Sequence, residues 1–129
     1  MSDVDSIMSR ELVTVTPALP LQEAARRMSA GHVGAALVLD GERLVGILTE
    51  RDILRAFADQ SEGAMRVADW MTPNPETIAP SETAGQAGVL MIHGGFRHLP
   101  VVEGETVVGI VSIRDLMRRV IDDESPRGV

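Results

Sequence analysis

Apolar and polar positions along this chain change period several times, and each change marks an element. Leu12-Val13-Thr14-Val15 is a β-branched run stopped by Thr16-Pro17, which predicts a short extended strand. Pro20 then opens a helix in which Leu21, Ala24, Ala25 and Met28 recur at helical spacing as a buried stripe, with Gly31 at its C′ stop. From Val33 to Leu39 the chain is almost unbrokenly apolar, the pattern of a strand covered on both faces. Asp40-Gly41-Glu42 supplies a turn and Leu44 to Leu48 the returning strand. A closing helix is expected from Thr49 through Ile53, Leu54 and Phe57.

The whole order then returns. Gly46-Ile47-Leu48-Thr49-Glu50-Arg51-Asp52 reappears 63 residues later as Gly109-Ile110-Val111-Ser112-Ile113-Arg114-Asp115. The same offset carries Met8 onto Met71, Pro17 onto Pro80, Met28 onto Met91 and Gly41-Glu42 onto Gly104-Glu105, with no gap between Val4 and Asp122. In the second copy Thr77-Ile78 is the extended segment and Ser81 to Ile92 the first helix, with Gly85 and Gly88 inside it. Leu99 to Val102 and Val107 to Val111 form the hairpin, and Ser112 to Ile121 the last helix. We assign the repeats to residues 4–59 and 67–122, a linker to 60–66 and a frayed polar tail to 123–129. Each repeat lies near the lower size limit for independent stability, so the halves are expected to share one core and to leave two related clefts between them.

Composition narrows the chemistry. A formal charge of −7 with no basic stripe argues against nucleic acid, and 2% aromatic residues leave no base-stacking platform. All twelve basic residues are arginine, which excludes a Schiff-base or P-loop lysine. The absence of cysteine excludes thiol nucleophiles, thiolate zinc sites, iron–sulfur clusters and disulfides. No apolar run is long enough to span a membrane, and Met1-Ser2-Asp3-Val4-Asp5 is acidic rather than signal-like, so a cytoplasmic protein is expected. His32, His93 and His98 form no metal spacing, and no nucleophile elbow or paired catalytic carboxylates occur; neither a catalytic nor a metal site is expected.

The candidate chemistry is the repeated Gly-x-x-(Thr/Ser)-x-x-Asp. A hydroxyl residue at a strand-to-helix junction with a carboxylate three residues on is the pattern of a helix N-cap. The same groups also suit a ligand: N–H groups at a helix start attract an anion, the hydroxyl can donate to phosphate, and an aspartate can accept from two ribose hydroxyls. Gly46 and Gly109 leave room for a ligand or for a neighbouring backbone. Recurrence of the motif in both repeats favours binding over capping alone.

These residues resemble a tandem pair of CBS domains, or Bateman module, over residues 4 to 122. The resemblance rests on Ile7-Met8 and Trp70-Met71-Thr72-Pro73, on Thr14-Val15-Thr16-Pro17 and Thr77-Ile78-Ala79-Pro80, on Arg97-His98-Leu99-Pro100-Val101-Val102 and on both glycine-to-aspartate motifs. It implies a mixed α/β fold of the α+β type: two β-α-β-β-α repeats packed through their sheets with pseudo-two-fold symmetry. It further implies a non-enzymatic regulatory module without a catalytic cofactor, binding AMP, ADP, ATP, NAD or S-adenosylmethionine in the inter-repeat clefts. By the same resemblance Asp52 and Asp115 hold ribose, Thr49 and Ser112 contact phosphate, and Thr14-Val15 and Thr77-Ile78 line adenine pockets. A homodimer through exposed helices and a protein partner in trans are also implied. The alternative is a structural protein–protein interaction module that binds no nucleotide.

The two sites are not equivalent. Where the second repeat has Arg97-His98 the first has Gly34-Ala35, so only the second offers a guanidinium and an imidazole there. The second-unit pocket is therefore expected to be the better nucleotide site; the alternative is that Arg97 pairs with a surface carboxylate and His98 packs at a strand edge. Arg51 and Arg114 fit either phosphate contacts or solvated helix positions.

Overall fold

The computed structural model describes residues 3–59 and 65–124. Along the chain run α1 (Val4–Ile7), β1 (Thr14–Val15), α2 (Leu21–Gly31), β2 (Ala35–Asp40), β3 (Arg43–Thr49) and α3 (Glu50–Asp59). These are followed by α4 (Val67–Trp70), β4 (Thr72–Pro73), α5 (Ala84–Gly94), β5 (His98–Glu103), β6 (Thr106–Ser112) and α6 (Ile113–Glu124). The expected linker and tail fall largely on residues 60–64 and 125–129, outside the described residues. No helix among the described residues is long and apolar enough to cross a membrane.

The chain divides into two compact units, and they cut across the repeats. Leu12–Pro75 forms what we term the first unit; Met1–Glu11 together with Glu76–Val129 forms the second. Each unit therefore uses the opening segment of the other repeat. In the first, β1 pairs in parallel with β2, β2 antiparallel with β3, and β3 antiparallel with the borrowed β4 at Ile47–Thr72. The second reproduces this register through single bridges, Ile78 to Val101 in parallel and Ser9 to Ile110 antiparallel, on either side of the β5–β6 hairpin.

The expectation of one shared core is not met. Val15, Leu21, Ala24, Met28, Val38, Leu48 and Val67 form one buried cluster; Val4, Met8, Ile78, Met91, Leu99, Val101 and Val111 form another. Val67 and Val4 are each wholly buried and belong to the borrowed segments, so the exchange gives each small unit apolar area that its own repeat lacks. The segments are tied in by equivalent backbone bonds, Val67 N to Leu19 O at 3.0 Å and Val4 N to Glu82 O at 2.8 Å.

Two local expectations shift, and two short helices were not expected. The αL residue after α2 is His32 (φ 55°), not Gly31; Gly31 stays helical, where a Cβ would stand 3.0 Å from Val13 Cγ2. Helix α5 starts three residues later than Ser81, because Thr83 Oγ1 accepts from Gln86 N at 3.1 Å and caps it. The short helices α1 and α4 have no periodic apolar pattern long enough to read, and each is fixed by the core residue it buries.

Candidate functional site

Strands β3 and β6 end in a hydroxyl residue and pass directly into helices, which fixes the local geometry in both units. Thr49 N donates to Asp52 Oδ2 at 2.9 Å, Thr49 Oγ1 donates to the same oxygen at 3.1 Å, and Asp52 N donates back to Thr49 Oγ1 at 3.3 Å. In the second unit Ser112 N donates to Asp115 Oδ2 at 2.8 Å and Asp115 N to Ser112 Oγ at 3.1 Å. Both motifs are thus reciprocal N-caps. Capping does not exhaust the carboxylate, which has about four lone-pair sites.

Beyond the cap the two differ. Asp52 is 4% exposed, and its Oδ1 accepts from Arg55 Nη1 at 3.0 Å. The Arg55 guanidinium lies over the Trp70 ring, 5.8 Å from its centroid. Asp115 is only partly buried, and among the described residues no ion pair holds it, although Arg118 stands where Arg55 does one repeat earlier. The position of Trp70 is taken in the other repeat by Ile7, which has no π face to hold a guanidinium.

The strand register decides which other residues reach each motif. His98 pairs across strands with Ser112, so their side chains share a face of the hairpin, and Ile113 N donates to Arg97 O at 2.8 Å. In the first unit the partner of Thr49 is Ala35, which brings no polar group. Arg51, Arg97 and Arg114 are exposed. Val15 and Ile78 belong to the buried cores, so their side chains are committed to packing; Thr14 and Thr77 are exposed beside them. Strand β1 is the edge of the sheet, and among the described residues no strand pairs with its outer side. With strands about 4.8 Å apart and a rise of about 3.3 Å per residue, Thr14 stands roughly 12 Å from Thr49, nucleotide scale rather than hydrogen-bond scale.

Gly46 and Gly109 leave room for a neighbour in their own unit. A Cβ on Gly46 would come 2.5 Å from Met71 Sδ and 3.1 Å from Thr72 O; on Gly109, 2.5 Å from Met8 Sδ and 3.0 Å from Ser9 O. These glycines admit the borrowed segments, and Met8 and Met71 pack on them. Among the described residues no group of three or more His, Asp or Glu could hold a metal ion. Sequence reasoning missed Arg55 and used Trp70 only as a family landmark; the i, i+3 spacing of Asp52 and Arg55 was the available signal.

The CBS domain profile matches residues 4–59 and again residues 67–122. The chain is a tandem pair of CBS domains. It is 36% identical over 126 residues to the CBS domain-containing protein YhcV of Bacillus subtilis, covering 97% of this chain and 90% of that one. Among solved structures, the CBS domain pair of protein MJ0100 superposes with a TM-score of 0.88 at 26% identity, covering 97% of this chain and 99% of that one. That structure is a complex with 5′-methylthioadenosine and S-adenosyl-L-methionine. The CBS domain protein PAE2072 of Pyrobaculum aerophilum, complexed with AMP, superposes with a TM-score of 0.85 at 26% identity, covering 95% and 97%. The mixed α+β architecture of two CBS repeats is shared with these CBS neighbours.

Proposed function

We propose that this CBS pair is a non-enzymatic sensor that binds an adenosine-containing ligand and reports its occupancy to a protein partner. The observation that carries the proposal is the second-unit motif: an Asp115 carboxylate with lone pairs to spare, a Ser112 hydroxyl beside it, and His98 across the hairpin. A carboxylate with open acceptor sites suits the cis hydroxyls of a ribose, and hydroxyl, imidazole and the nearby Arg97 and Arg114 suit a phosphate or carboxylate group. In an acidic chain such local donors concentrate an anionic ligand where the net field would repel it. The adenosyl ligands of the PAE2072 and MJ0100 structures support the ligand class. Occupancy acts by population shift, the ligand favouring whichever arrangement it binds more tightly.

Exposed apolar residues support self-association through helices: Leu54 and Phe57 on α3, and Met117, Val120 and Ile121 on α6. The resulting species is a homodimer.

A thermal-shift panel of AMP, ADP, ATP, NAD and S-adenosylmethionine, with guanosine analogues as controls, tests the sensor reading. A ligand binding only the folded chain at a hundred times its Kd stabilises by about 2.7 kcal/mol. The expected result is a rise in Tm with at least one adenosyl compound, absent with guanosine and lost in Asp115→Asn. No rise with any of them returns the chain to the interaction-module alternative.

A further inference from the structure

We infer that Arg55 is a latch on the ribose position of the first unit, which makes that unit the weaker of the two adenosine sites. The inference rests on the reading above that the motif aspartates receive ribose. Asp52 Oδ2 already accepts two hydrogen bonds from Thr49, and Oδ1 accepts one from Arg55. Of about four lone-pair sites on the carboxylate, three are engaged, whereas a cis-diol needs two. The guanidinium is the outer member of the pair: the Arg55 side chain is 60% exposed and that of Asp52 only 5%. A ribose approaching from solvent therefore meets Arg55 first and competes with it for the same oxygen.

An ion pair with an exposed arginine is ordinarily weak. This one is reinforced at both ends. Its acceptor is buried, so a carboxylate stripped of Arg55 is left poorly compensated, and the guanidinium is held on its other side by the Trp70 ring. The second unit supplies the control. Arg118 has the same helical spacing from Asp115 as Arg55 has from Asp52, yet no ion pair joins them, and Ile7 stands in place of the tryptophan. The aromatic ring outside the motif, rather than the motif itself, sets the latch.

Isothermal titration of the full chain with AMP and with S-adenosylmethionine tests this, using wild type, Arg55→Ala and Arg55→Met, the last keeping the apolar stem. Wild type is expected to show one tight site per chain. Both variants are expected to bind at the first unit at least about tenfold more tightly, showing a second site. In Asp115→Asn combined with Arg55→Met the remaining binding should titrate the emission of Trp70, the sole tryptophan. If the Arg55 variants reproduce the stoichiometry and affinities of wild type, the latch is wrong and the sensor reading stands. If wild type already fills two sites equally, the latch is also wrong. Absence of heat for every protein and both ligands overturns the latch, whereas the sensor reading falls only if the full thermal-shift panel is also silent.

Discussion

Asp52 and Asp115 occupy the same place in two copies of one motif, share the reciprocal backbone capping bonds, and differ in what surrounds them. Asp52 is buried under an arginine that rests on a tryptophan; Asp115 is partly open, and its capping partner Ser112 pairs across the hairpin with His98. The residues responsible, Trp70 against Ile7 and Ala35 against His98, all lie outside the seven-residue motif. Motif identity therefore equalises the backbone and the cap, while the flanking segments set the electrostatics. Two copies of one motif thus stand in different surroundings.

The comparison can be broken most severely at the glycines where both units accept a borrowed segment. Gly46→Ala and Gly109→Ala each place a methyl against a methionine sulfur and a backbone carbonyl. The sulfur can swing away and the carbonyl cannot, so each is expected to cost about 3 kcal/mol in urea unfolding. Equal losses would show that the two seams are equivalent; a loss under about 1 kcal/mol at either would show that the segment there is loosely held.

The aspartates separate the units next, measured without ligand. Asp52→Asn removes a charged acceptor that is buried and bonded to both Thr49 and Arg55, and is expected to cost about 2 kcal/mol. Asp115→Asn retains an acceptor for Ser112 N in a wetter setting and should cost about 1 kcal/mol or less. Equal penalties would contradict the difference in burial and pairing.

The smallest effect sharpens the comparison of the two long helices. Gly88 in α5 aligns with Ala25 in α2, and a Cβ at Gly88 would meet Leu116 Cδ1 at 3.7 Å, an ordinary contact. Gly88→Ala is expected to stabilise by about 1 kcal/mol, raising Tm by roughly 4 °C. A loss of stability would mean that α5 needs its glycine for closer packing than the second unit shows.

Much of this was legible in the chain itself. The 63-residue repeat, the hairpins, α2, α3 and the capped motif follow from apolar period and turn chemistry, because local propensity and burial agree there. Short α1 and α4 carried no periodic signal. Residue Gly31 misled because glycine serves close approach as well as αL geometry, and its neighbour His32 took the αL position. The spacing of Arg55 from Asp52 was visible, but Arg118 has the same spacing from Asp115, so helical periodicity alone does not distinguish the pair that forms from the one that does not.

By itself, then, the sequence determined the repeated unit, its strand and helix order and the hydroxyl–carboxylate caps, since all of these depend on residues near one another in the chain. Only the tertiary structure decided that each unit takes its last sheet position and part of its core from the other repeat, and that a tryptophan 18 residues from Asp52 holds the arginine upon it while Asp115 stays open. Those outcomes turn on which distant segment packs beside a site, and no local pattern encodes that choice.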